Sequence, residues 1–384
     1  ANIVTTNLVN TAIAGTYTVS YDVTDASGNA ATTVIRTVIV NALPTVSITP
    51  ANQTLACNTT PVSATAAGSG TATPYSYSWN TTPVQTGAEA TGLLAGTYTV
   101  TVTDGNGCVN TASTTISNPV YTGPIWYVDD ANGSDLNSGS QTCPFKTITF
   151  AIGASSNGET VYVEPGAYDE QVDVNKAITL QGAAPGFAPF TTIQKSSPAA
   201  NANMVTVSSS DVTIKNLTVG GVPGGSTTRG VYINGAYSNI ALQDVIASEH
   251  NYGVVADASA DLTGLSLTNV QLNVNGNGLH IEAGAKVDGL TITGGSMNGN
   301  AFGLSAAAHN ASDNSNDLVN VNITGTSFQN NAVFGLLFNK GQDVTLDGIT
   351  VTGNGTAGPT TAGVYFTWRQ GSYSGITVRN STIT

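Results

Sequence analysis

The chain has 384 residues, with 10 Lys and Arg against 23 Asp and Glu, a net charge of −13 at pH 7 and 9% charged residues; an ordinary soluble domain carries about 25%. So few basic groups exclude a phosphate-binding surface, and with it nucleic acid as a partner, and no run of 18 apolar residues is present to span a membrane. With 40% hydrophobic residues the chain is not disordered by charge excess, and 43 glycines among many Thr, Ser and Asn point to short strands and tight turns. The length gives two to three domains as a prior. The chain starts at Ala1 in strand-like sequence without an initiator Met or signal peptide, so a mature form or an ordered fragment of a longer protein is expected.

Residues 1–42 hold two alternating runs, Thr16-Tyr-Thr-Val-Ser-Tyr-Asp-Val23 and Thr33-Val-Ile-Arg-Thr-Val-Ile-Val40, around the turn cluster Asp25-Ala-Ser-Gly-Asn29. Period two on both sides of a turn predicts antiparallel strands. The segment is too short to close a sandwich of about 100 residues. It resembles the C-terminal half of the Ig-like repeats of bacterial surface proteins, which implies an incomplete module. Residues 43–120 carry Val46-Ser-Ile48, Tyr75-Ser-Tyr-Ser-Trp79 and Gly96-Thr-Tyr-Thr-Val-Thr-Val-Thr-Asp104, then Gly105-Asn-Gly107 and Cys108. This order resembles the SprB-type repeat of gliding adhesins and other giant Bacteroidetes surface proteins, an Ig-type β-sandwich. The resemblance implies a Cys57–Cys108 disulfide, which would close a loop of about 51 residues and add about 4 kcal/mol in the chain-entropy model. Two buried free thiols are the alternative, with Cys143 left over as a small buried residue. A bridge would imply an oxidising, extracellular setting.

After the linker 121–124, Ile125-Trp-Tyr-Val-Asp-Asp-Ala-Asn-Gly-Ser-Asp135, Cys143-Pro-Phe-Lys-Thr-Ile148 and Thr160-Val-Tyr-Val-Glu-Pro-Gly-Ala-Tyr168 follow in order. They resemble the opening segment of right-handed parallel β-helix proteins of the pectin-lyase-like fold. A short helix at about Ile148 to Ala154 then caps the solenoid.

The remainder repeats. A Gly followed by apolar-rich residues recurs at Gly230, Gly253, Gly278, Gly303, Gly335 and Gly363, at spacings of 23, 25, 25, 32 and 28 residues. A second register consists of turn-tolerant residues: Asn216, Asp244, Asn269, Gly294, Gly325, Gly348 and Asn380. Asn, Asp and Gly share a tolerance for left-handed backbone, so one sharp corner per coil is predicted. Eight to nine coils stack at about 4.8 Å. Within the Gly-initiated strands the inward pairs are Val231/Ile233, Val254/Ala256, Leu279/Ile281, Leu304/Ala306, Leu336/Phe338 and Val364/Phe366, all apolar. Asn310 to Asp317 reads as an exposed loop. The chain stops at Thr384 in mid-coil, so continuation beyond it is expected. The fold class is therefore all-β: residues 1–42 an incomplete Ig-like module, 43–120 a second sandwich, and 121–384 a right-handed parallel β-helix with a capping segment.

β-Helix enzymes work on an outward face of their stacked strands, so the resemblance directs attention there. A lyase would need a Ca²⁺ cage with a basic residue, and a hydrolase two or three carboxylates; neither set is complete. The outward cluster is Asp257, His280 and Glu282, flanked by Tyr232. Asp257 and Glu282 lie one coil apart, their carboxylates within about 5–7 Å of each other, which suits a Ca²⁺ ion or a weak acid/base pair. The bland reading is a solvated polar patch. Tyr365, Trp368, Arg369 and Tyr373 offer a sugar-stacking platform or, alternatively, cover the end of a coil. His250 and His309 read as solvated turn residues. Asp129, Asp130 and Asp135 do not match an EF-hand loop, and Asp22, Asp25 and Asp104 read as Asx-turn formers.

Three readings follow. The first is a secreted bacterial cell-surface adhesin or structural protein that touches surfaces or glycans, related to gliding and exported by the type IX route that the resemblance implies. It needs no catalysis and no cofactor, with Ca²⁺ left open, and its partners are carbohydrates or neighbouring modules. The second is a modular polysaccharide lyase or another carbohydrate-active enzyme. The third is the subunit of an extracellular filament.

Overall fold

The computed structural model describes residues 2–183, 191–221, 227–306, 318–339, 341–358, 362–367 and 373–384. The chain divides into two compact units, Ala1–Pro119 and Val120–Thr384.

In the first unit, Asn2–Asn7, Gly15–Thr24 and Val34–Val40 pair antiparallel as a three-stranded sheet. The predicted turn is closed by Asp25, whose Oδ1 accepts from the backbone N–H of Ser27 and Asn29, each at 2.9 Å. Ile3, Val4, Val34, Ile35 and Ile39 of this sheet remain exposed. The next strands form a sandwich. One sheet is Thr45–Thr49, Val62–Ser69 and Glu89–Leu93; the other is Asn52–Thr54, Ser76–Trp79, Gly96–Thr103 and Val109–Ser117. Trp79, Leu93, Val100, Val102 and Ile116 fill the space between them. The repeated Gly-Thr-Tyr has a local cause. Tyr17 donates its hydroxyl to the carbonyl of Ile13 and Tyr98 to that of Leu94, a tyrosine tied back four residues upstream. The ring of each covers the glycine two residues before it, Gly15 or Gly96, at van der Waals distance from where a Cβ would stand. Asp104 turns the last hairpin by accepting from the N–H of Asn106 and Cys108. Cys108 keeps a free thiol, so the Cys57–Cys108 bridge is not formed. What places Cys108 is the Asp104 turn at the start of the returning strand.

The second unit is a right-handed parallel β-helix. Sheet I has ten parallel strands, from Ile125–Val128 to Thr377–Arg379. Sheet II has eight: Val172–Val174, Asn203–Val207, Arg229–Ile233, Tyr252–Ala256, Asn277–Ile281, Phe302–Ala306, Phe334–Phe338 and Ala362–Phe366. Sheet III is four strands and three strands, joined through single bridges at Gln271 and Ser296. Ladders of like residues fill the interior; Val161, Leu180, Ile214, Leu242, Leu267, Ile292, Ile323 and Leu346 stack down sheet I, all buried. Burial is worth about 1.5–3 kcal/mol for each such side chain. The inward register of sheet II holds, with Val364 and Phe366 only half-buried in the last rung.

The helix Ile148–Ala154 closes the solenoid with Ile148, Ala151 and Ile152. Its termini are both served by side chains. Glu170 accepts from the N–H of Ile148 and Thr149, and Lys176 donates to the carbonyls of Gly153 and Ser155. Carboxylate at the N-terminus and ammonium at the C-terminus match the helix dipole.

All seven predicted corner residues are left-handed, with φ between 51° and 65°. Their side chains also couple coils: Asn269 Nδ2 donates to Asp244 Oδ1 at 2.6 Å. A second left-handed series, Asp211, Asn239, Gly264, Gly289, Asn320 and Asp343, runs down sheet I and was not anticipated from sequence. A third ladder is buried, save for its half-buried last member, Asn354. Asn275, Asn300, Asn331 and Asn354 each donate from Nδ2 to a carbonyl of the preceding coil, respectively Ala247, Leu272, Met297 and Phe328. Each accepts through Oδ1 from the backbone N–H of the ladder residue before it. His250 heads this ladder. Far from being solvated, it is 3% exposed. Its Nε2 lies 3.1 Å from the carbonyl of Val219, the place an Asn Nδ2 takes in later coils, and its Nδ1 lies 2.9 Å from Thr228 Oγ1. A carbonyl only accepts, so Nε2 carries the proton. Burial lowers the pKa of this imidazole to about 4.

Candidate functional site on the outward face of sheet II

Parallel pairing lines outward residues into columns. One column is Asp173, Thr206, Tyr232, Val255, His280, Ser305, Leu337 and Tyr365. A second, beside it, is Asn203, Arg229, Tyr252, Asn277, Phe302 and Phe334. These share the face because each precedes a buried glycine or Met204, where the strict alternation slips. Asp257 and Glu282 follow the ends of successive strands; their N–H groups donate to the carbonyls of Ile233 and Ala256.

The face divides along its length. Toward the first coils it is polar and tightly wired. Tyr232 donates its hydroxyl to Asp257 Oδ2 at 2.8 Å, while Asp257 Oδ1 accepts from the N–H and hydroxyl of Ser259 at 2.9 and 2.7 Å. Burial pushes the Asp257 carboxyl up, but the bonds from Ser259 and Tyr232 and the charge of Arg229 outweigh it and hold the group below the usual range. Burial, followed by the bond to Asp257, raises Tyr232 to about 12. Glu282 Oε2 accepts from the N–H of Ala258 at 3.3 Å. The Arg229 guanidinium lies 5.1 Å from the centre of the Tyr232 ring and donates to Asn201 O and Asn203 Oδ1, leaving its buried Nε unpaired. Toward the later coils the face is aromatic. Phe334 and Tyr365 stack at 5.2 Å with 16° between planes, and Phe302 lies 5.9 Å from Phe334.

His280 stands at the junction. Tyr252 stacks on it at 4.8 Å and 16°. Its Nδ1 is 2.6 Å from Ser305 Oγ, and the Ser305 hydroxyl donates to Asn277 Oδ1 at 2.8 Å. Burial, only partly offset by a bond with the Ser305 backbone, lowers the imidazole to about 4, so the ring is neutral across the physiological range.

Of the residues singled out from sequence, Tyr232, Asp257, His280 and Glu282 come together on this face. Tyr365 lies further along it, 44% exposed. Trp368, Arg369, His309 and the stretch Asn310–Asp317 lie outside the described residues. Tyr373 donates its hydroxyl to the Phe338 carbonyl and packs edge-on against Phe366. Asp129 and Asp135 hold turns instead of an ion: Asp129 accepts from Ala131 and Asn132, and Asp135 from Lys146 and Thr147. Among the described residues no three His, Cys, Asp or Glu side chains converge as a metal-binding group, and both Asp257 oxygens are already engaged. Sequence reasoning missed Arg229, Tyr252, Asn277, Phe302 and Phe334. Their signal was the position just before each glycine, which is aromatic at 252, 302 and 334.

Residues 1–40 match a family model described as bacterial surface protein, Ig-like domain. The uncharacterized protein YwoF of Bacillus subtilis (strain 168) is 30% identical over 146 residues, which is 34% of this chain and 30% of that protein; the chain thus spans under a third of this curated relative. The solved pectin methylesterase from Aspergillus niger is similar over 68% of this chain and 88% of its own, at 14% identity and a TM-score of 0.41. A rhamnogalacturonan lyase is similar over 67% and 68%, at 18% identity and a TM-score of 0.37. No helix among the described residues is long and apolar enough to cross a membrane. Residues 131–354, more than half of the chain, match the model described as protein of unknown function (DUF1565), and the chain belongs to that family.

Proposed function

We propose that the chain is a glycan-contacting part of a secreted bacterial cell-surface protein, acting by adhesion and not by turnover. The observation that carries this reading is the presence, on one face, of stacked rings and fixed polar groups: Tyr252 on His280 near Asp257 and Glu282, and Phe334 on Tyr365 further along. Ring faces suit the C–H faces of sugars and fixed acceptors suit their hydroxyls. Catalysis is disfavoured by the same wiring. Asp257 is held ionised with both oxygens occupied, and an imidazole with a pKa near 4 is a poor base at neutral pH. The match of residues 1–40 supports the cell-surface setting. The order of residues 75–108 is in keeping with a SprB-like module, and so with a gliding-related array exported by the type IX route.

Titration calorimetry against a panel of soluble polysaccharides tests the reading. Tyr365→Ala and Tyr252→Ala should each weaken binding about tenfold, as loss of an anchoring ring does. Unchanged affinity in both variants, or no binding to any polysaccharide, would end it. Release of reducing sugar that Asp257→Ala or Glu282→Ala abolishes would replace it with the enzymatic reading.

A further inference from the structure

The hydrogen-bond chain at His280 fixes more than its position. Asn277 Oδ1 is a carbonyl oxygen and can only accept, so the single Ser305 hydroxyl proton is directed to it. Ser305 Oγ must then accept from His280, which places the imidazole proton on Nδ1. Nε2 is left as a bare lone pair. Among the described residues nothing bonds it. The His280 side chain is only half-buried, and the Tyr252 ring lies parallel beside it. Its surroundings on the face have the same polarity. Asp173, Asp257 and Glu282 are acceptors, and the one described cation of the face, Arg229, is committed to Asn201, Asn203 and the Tyr232 ring.

We propose that His280 Nε2 is the specificity-determining acceptor of this face, and that the face selects an uncharged or amino sugar over a polyuronate. This rests on the glycan-contacting reading above. A face made of acceptors rewards ligands rich in donors, namely hydroxyl and ammonium groups. A uronate carboxylate brings no donor and meets three carboxylates, and the guanidinium that would neutralise it is already engaged. Ser305 and Asn277 are positioning residues, acting through the imidazole.

The test uses the whole chain with three probes: a soluble neutral β-glucan, a chitin hexasaccharide, and polygalacturonate with and without CaCl2. Binding to the glucan or the hexasaccharide at least tenfold tighter than to polygalacturonate is expected. His280→Leu should weaken that binding at least tenfold, while His280→Gln, which keeps an acceptor oxygen, should stay within about threefold of the parent. Nitrogen-15 NMR of the imidazole should report Nδ1–H with an unprotonated Nε2, and Ser305→Ala should lose that single tautomer. Tighter binding of polygalacturonate, with or without Ca²⁺, overturns the proposal, as does an Nε2–H tautomer or a folded His280→Leu chain that binds like the parent. If none of the three probes binds and the wider polysaccharide panel also fails, the glycan reading itself has failed; binding confined to other polysaccharides that ignores His280 sinks this proposal alone.

Discussion

Two histidines with similarly lowered pKa values do different work because they spend their ring nitrogens differently. His250 uses both ring nitrogens inside the fold, standing at a position where the next four coils place asparagine. The unfolded chain takes up this proton near the ordinary value of 6.5, whereas the folded chain resists it until about pH 4. Stability therefore falls as the pH drops through that window, by about 3 kcal/mol for this one group. His250→Asn should complete the ladder with the residue it uses elsewhere. It should keep stability at pH 7 within about 1 kcal/mol and remove this share of the acid sensitivity, read by urea unfolding of both proteins between pH 7 and 4. An unchanged pH dependence would mean that the imidazole is not buried in its neutral form. The corner residues were legible because left-handed backbone restricts residue type at each site by itself. His250 was not legible, since its burial depends on a carbonyl one coil away that local sequence does not mark.

At the level of the strand, the recurring glycines of sheet II have a steric cause. A Cβ on Gly278 would lie 2.5 Å from the carbonyl oxygen of Gly303, and one on Gly303 would lie 2.4 Å from that of Gly335. Both strands are pinned on either side by parallel partners, so neither can retreat. Gly278→Ala should cost about 2 kcal/mol or more. Gly294 is a different glycine. It turns a corner at φ 65° with open space beside it, where other coils use Asn, so Gly294→Asn should change stability by less than about 0.5 kcal/mol. Urea midpoints of the two variants check the contrast, and equal losses would refute it. The spacing of these glycines made the coils readable. The same glycines concealed half of the site, because burying them turns the preceding residue outward, against simple alternation. Tyr252 and Phe334 were missed for that reason, while Tyr232 and His280, which obey alternation, were found.

The scarcity of charge belongs to the whole molecule. Stacking repeats each surface position at about 4.8 Å, so a charge set on one rung would face its like on the next. Thr is the commonest residue at the outward positions of sheet I instead. Among the described residues three ion pairs occur, Lys195–Asp169, Lys286–Asp261 and Arg379–Asp347, all at the surface. Salt has little attraction to screen and a net charge of −13 to relieve. The melting temperature should therefore stay level or rise slightly between 20 and 500 mM NaCl; a fall of several degrees would show that ion pairing matters more than the ladders. The buried asparagine ladder has a mechanical consequence. Its successive members are 25, 25, 31 and 23 residues apart, and each grips only its immediate neighbour. Under tension from one end, this ladder offers no single clasp to break. It would peel one coil at a time, each release lengthening the chain by about 80 Å. Such a tether dissipates a pull in many small steps, and it can rewind when the load slackens.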